Sequence, residues 1–97
     1  MATLTIDIEK FELSEFDIHA RRQFANRGLF LEKLVKDSYG YVRAEVARQG
    51  YGLDKLIDDP DPEVREAVAK QGYGLDILTN DPVSYVRKAV AEQGYQL

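Results

Sequence analysis

Arg21, Arg43, Arg65 and Arg87 stand 22 residues apart, and the sequence around them recurs with them. Gln49-Gly50-Tyr51-Gly52-Leu53-Asp54 returns as Gln71-Gly72-Tyr73-Gly74-Leu75-Asp76 and, in part, as Gln93-Gly94-Tyr95-Gln96-Leu97. A unit that returns at a short fixed period cannot bury an apolar face alone, so its copies must stack to share a core. The period therefore predicts a stacked-repeat protein with one domain over residues 1–97. An N-terminal cap and degenerate repeat occupy 1–28, and repeats follow at 29–50, 51–72 and 73–97.

The best-formed repeat carries its own punctuation. Asp61 before Pro62 marks an N-cap with proline at the first helical position, and Glu63 suits the positive helix end. The pattern predicts a helix running to Gln71 and stopped at Gly72, which can take the left-handed conformation at C′. Leu53 to Asp58 predicts a second, very short helix or 3₁₀ turn, apolar at Leu53, Leu56 and Ile57. Neither helix would be stable alone in water.

Comparison between repeats sorts packing positions from surface positions. Leu34, Leu56 and Leu78 share one slot, Val42, Val64 and Val86 another, and Phe24, Val46, Val68 and Val90 a third. Ala25, Ala47, Ala69 and Ala91 never vary, as expected where helices approach closely. At 100° per residue, Val64, Ala67, Val68 and Gln71 cover one side of the helix, with Glu63, Glu66 and Lys70 opposite. The opposite slots change freely: His19, Tyr41, Glu63, Tyr85; then Arg22, Ala44, Glu66, Lys88; then Asn26, Arg48, Lys70, Glu92. That outer face is the candidate binding surface.

The ends are less regular. Residues 3–8 alternate apolar and polar with period two, which reads as a short strand or extended cap. Ser14 and Asp17 resemble a capping pair at Ncap and N3, ahead of a helix from Glu15 to Arg27 with Phe16, Ala20 and Phe24 inward. At the other end no polar helix follows the last repeat, so apolar surface at Val86, Val90 and Leu97 is expected to be exposed and to dock a second copy or a partner.

The run Asp59-Pro60-Asp61-Pro62-Glu63-Val64-Arg65, followed by an Ala/Val helix and a short Leu-rich helix, resembles the leucine-rich repeat variant family, which overlaps with HEAT-like repeats. The resemblance covers residues 17–97 and is most specific at 59–72, 37–50 and 81–94. It implies an all-α, right-handed α-solenoid of about four 22-residue repeats, each with one α-helix and one short α or 3₁₀ helix. It also implies a bacterial or phage source and an interaction scaffold in place of a reaction. The repeat is short for the family, and its cysteine cluster is missing, so an iron–sulfur function does not carry over.

In HEAT-like repeats a similar Asp…Val-Arg arrangement ties one repeat's turn to its own or the adjacent helix. The resemblance thus implies a structural ladder of Asp37, Arg43, Asp59, Arg65, Asp81 and Arg87, with Glu15 and Arg21 as its degenerate form. Arginine's planar fork suits such bidentate bonding. The rival reading is phosphate binding by Arg21, Arg22, Arg27, Arg43 and Arg48. Residues 17–50 do carry a local charge of +3, between segments of −3 and −4, but the whole chain stands at −4. That balance argues against bulk capture of nucleic acid.

Tyr51, Tyr73 and Tyr95 each follow a C′ glycine and are expected to pack back on Val46, Val68 and Val90. Tyr41 and Tyr85 stand on the variable face, where an aromatic has no packing duty and binding hot spots are enriched in tyrosine. With Arg22, Arg48 and Lys88 they form the predicted partner-binding set.

Other chemistry is poorly supplied. With no Cys, disulfides, thiolate metal sites and iron–sulfur clusters are excluded. His19 alone cannot make a metal site, and no phosphate-binding glycine motif or nucleophile with a neighbouring base is present. No cofactor and no enzymatic activity are expected. No apolar run approaches the ~20 residues of a membrane helix, and Met1-Ala2-Thr3-Leu4 does not open a signal peptide. The expectation is a cytoplasmic protein-interaction module that acts as an adaptor or inhibitor.

Overall fold

The computed structural model of the chain describes residues 13–95. The period-two segment at 3–8 and Leu97 lie outside them. A 3₁₀ turn at Leu13–Glu15 is followed by seven α-helices: α1 (Ile18–Asn26), α2 (Leu31–Leu34), α3 (Gly40–Arg48), α4 (Leu53–Leu56), α5 (Pro62–Lys70), α6 (Leu75–Leu78) and α7 (Ser84–Glu92). Among the described residues there is no strand. Nine-residue and four-residue helices therefore alternate at the period read from the sequence.

Capping chemistry sets the boundaries. Asp61 is extended, with φ −89° and ψ 118°, and its carboxylate accepts the Glu63 N–H at 2.9 Å while Pro62 opens α5. Gly40, at the first position of α3, leaves room for that carboxylate, because a Cβ there would overlap it. α1 differs from its expected span of Glu15 to Arg27. Asp17 is its N-cap instead of its N3 residue, and its carboxylate accepts the Ala20 N–H at 2.8 Å. By bonding to the backbone three residues on, Asp17 ends the 3₁₀ turn and begins a new helix.

The long helices stop with one shared device. At the end of α5 the Gly72 N–H reaches Ala69 O at 2.9 Å and the Tyr73 N–H reaches Val68 O at 3.4 Å, the paired bonds of a Schellman motif. Gly72 holds φ +76°, open to glycine at no steric cost. Two residues on, Gly74 is left-handed as well and a Cβ on it would overlap the Ile57 side chain. Phe30 takes Gly74's slot before α2 at φ 57°. A left-handed non-glycine costs about 1–2 kcal/mol. Its ring offsets part of that by meeting Phe24 edge to face at 5.5 Å.

Packing is sequential. α1 lies against α3, α3 against α5 and α5 against α7, while α2, α4 and α6 each touch the long helix before and after them. One apolar cluster runs from Ala25 to Val90, with Leu34, Leu56, Leu78 and the two valine rows buried throughout. Because α3 and α5 are flanked on both sides, they bury a wider arc than a one-sided stripe. Ala69 is therefore fully buried, whereas Gln71, expected on the packed side, is exposed: it is the C-cap, where the chain turns away.

Two further expectations are corrected. Val86 and Val90 are buried, not exposed, since α7 turns them onto α5; it is Arg87 and Ala91 that face solvent. Tyr51 and Tyr73 are each 41% exposed, and it is their backbone N–H groups that the helix stop engages. Tyr95 alone of that row is half-buried and packs on the core.

Candidate interaction face

The arginine row is built into the stack. Arg65 donates from Nε to Asp81 at 2.7 Å and from a terminal nitrogen to the same carboxylate at 3.2 Å. Its other terminal nitrogen donates to the Asp59 carbonyl at 2.6 Å. Arg43 repeats this on Asp59 and on the Asp37 carbonyl. Arg21 bonds Asp37 at 2.8 Å and the Phe16 carbonyl. Each carboxylate thus answers the arginine of the preceding repeat, 16 residues earlier, while the carbonyl belongs to the arginine's own repeat.

The aspartates are satisfied from both sides. Asp37, Asp59 and Asp81 each accept the backbone N–H two residues on, at Tyr39, Asp61 and Val83, at 2.9–3.0 Å. Arg87 keeps the carbonyl bond to Asp81, at 2.7 Å, and is exposed. Arg43 and Arg65 are raised above their ordinary values, first by hydrogen bonds to Asp59 and Asp81 respectively. Burial pushes the Asp81 carboxyl up, but the bonds from Arg65 and Val83 and the charges of Arg65 and Arg87 hold it below its ordinary value.

That depression has a definite sign. A carboxyl whose folded value lies below its unfolded value, near 3.9 for Asp, stabilises fully above the unfolded value and loses this as pH falls through the folded one. Glu45 is depressed as well and acts in the same direction. Thermal unfolding should therefore show a lower midpoint at about pH 3 than at neutral pH, and Asp81→Asn should flatten that difference.

The opposite side of the long helices carries the slots in which the repeats disagree. Tyr41 is 55% exposed on α3 and Tyr85 is 39% exposed on α7. Arg22 on α1, Arg48 on α3 and Lys88 on α7 are exposed with them. Tyr85 sits toward the acidic start of α5. Desolvation first, then the charges of Glu63, Asp61 and Glu66, push its phenol up, and Arg65 opposes them. Ala44 is buried although its slot holds exposed Arg22 and Lys88, since a methyl group there is covered while longer chains reach water.

One functional-looking group escaped the sequence reading. Glu45 is buried in a slot that holds Gln23, Ala67 and Ala89 elsewhere; an acid where the later repeats have alanine was the available signal. Its carboxylate accepts from Asn26 at 2.9 Å and from Arg48 at 2.7 Å, bridging α1 and α3. Burial raises Glu45, but these bonds and the charges of Arg48 and Arg22 bring it below its ordinary value. Beside it a cavity of 210 Å³ is lined by His19, Arg22, Gln23, Asn26 and Glu45.

The predicted residues thus separate into two groups. Arg21, Arg43 and Arg65 are tied to aspartates, whereas Arg22, Arg27, Arg48, Tyr41, Tyr85 and Lys88 reach solvent. Among the described residues no group of three His, Asp or Glu side chains could hold a metal ion, and no helix is long and apolar enough to cross a membrane. The chain matches no family model, no curated protein and no solved structure.

Proposed function

We propose that this protein is a non-enzymatic interaction module. In this reading it is a small right-handed α-solenoid of the leucine-rich repeat variant kind, working in the cytoplasm as an adaptor or inhibitor and binding another protein through its outer helix face. The observation that carries the reading is the exposure of Tyr41 and Tyr85 at a slot that holds His19 and Glu63 in the other repeats. Residues that hold the stack together stay the same from repeat to repeat, whereas this slot changes among His, Tyr and Glu, and exposed tyrosines beside cations are typical of binding hot spots. The phosphate-binding reading has less support, because Arg21 and Arg43 spend their guanidinium groups on Asp37 and Asp59.

Affinity capture from the native host, with the wild-type chain and Tyr41→Ala/Tyr85→Ala as parallel baits, tests the proposal. Both baits should melt alike, since exposed side chains contribute little to stability. A partner held by the wild type should be lost by the double variant. Equal recovery on both baits would move the binding surface elsewhere.

A further inference from the structure

We infer that the outer face is self-complementary and pairs with a second copy of the chain about a two-fold axis running along α3. This rests on the reading of that face as the binding surface and names the partner. The charge distribution is the argument. On α1 the face presents Arg22 with His19, on α3 it presents Tyr41 and an Arg48 paired with the buried Glu45, and on α5 it presents Glu63, Glu66 and Lys70, which sum to a negative charge. Positive, neutral and negative helices stand in that order, and the sequential packing of α1, α3 and α5 sets them side by side.

A two-fold axis lying along α3 reverses the order and keeps the helix directions. α1 of one copy then lies over α5 of the other, at matching heights along the helices. Packed helices stand about 8–10 Å apart on either side of α3, so both outer pairs close together. Arg22 meets Glu66 of the second copy, and His19 meets its Glu63. Tyr41 stands at the axis, facing its own counterpart, where aromatic rings pair favourably. Ala44 next to it is short and covered, so the two α3 helices can approach between Tyr41 and Arg48. Each Arg48 arrives with its charge already countered by Glu45 at 2.7 Å. Glu66 gives up a 4.0 Å contact with Lys70. An interface in which each patch meets the same patch of its twin closes as a dimer and does not propagate. α7 lies beyond the paired helices, which leaves Tyr85 and Lys88 outside the contact.

Sedimentation equilibrium of the full chain tests this with charge reversals. The wild type should form dimers that weaken as salt rises, because exposed charges are screened. Arg22→Glu and Glu66→Arg should each weaken dimerisation about tenfold or more, since two symmetry-related pairs turn repulsive at once. The double variant Arg22→Glu/Glu66→Arg should recover it, and melting curves should confirm that all three fold. A chain still monomeric at about 1 mM, a concentration at which pairing with even a millimolar Kd would show, would overturn the inference. So would single reversals without effect, or a double variant that stays dissociated. A monomeric chain that still captures a partner through Tyr41 and Tyr85 would sink the dimer alone and leave the proposed function standing.

Discussion

Arg65→Ala is expected to lower the melting midpoint by 10 °C or more, corresponding to about 2–4 kcal/mol at about 4–8 °C per kcal/mol for a domain of this size. The loss is larger than that of a surface ion pair because both partners are shielded: the Arg65 and Asp81 side chains are 14% and 4% exposed. Removing the guanidinium leaves the Asp81 carboxylate with one backbone donor and strands the Asp59 carbonyl. Two controls share the measurement. Arg87→Ala removes a residue of the same slot that makes one carbonyl bond, and should cost about 1 kcal/mol. Lys88→Ala, on the outer face, should stay within about 0.5 kcal/mol. Equal small effects at Arg65 and Lys88 would mean the ladder does not hold the repeats together.

Leu56→Ala should be comparably severe, at about 2–5 kcal/mol, because Leu56 is 3% exposed and belongs to the continuous core. α4 is four residues long and depends on that side chain for its attachment to α3 and α5. Ile77→Ala is the matched comparison: it removes an equally large aliphatic side chain from α6 where it is 60% exposed, and should change stability by less than about 1 kcal/mol. Chemical unfolding would read both. A mild Leu56→Ala would indicate that neighbours collapse into the space.

Much of this was legible because repetition supplies an internal comparison. The valine and leucine rows, the Asp61–Pro62 start and the Gly72 stop follow from short-range rules that operate within one repeat. Constancy misled where a residue recurs for its backbone. Tyr51 and Tyr73 recur after the glycines that end helices, where their N–H groups are engaged, yet both residues are exposed. Gln71 falls on the packed side of a helical wheel, but a wheel continues a helix that the chain has left by that residue. Glu45 was missed for a different reason. Its partners Asn26 and Arg48 belong to two helices, and only the packing of α1 on α3 brings Asn26 to it. The outer tyrosines could be placed on their face from spacing alone, whereas the order of charge across α1, α3 and α5 acquires meaning only once those helices stand side by side.

The span from each arginine to its carboxylate, 16 residues, is shorter than the period, and the same length of chain serves at every rung. A gene that lost the codons for residues 51–72 would hand Asp81 to Arg43 at the spacing Asp59 had held, and one that duplicated them would insert a rung with both partners present. Length is then free to drift in whole units while the joint between neighbours is inherited intact. A change of one or two residues would break it at once.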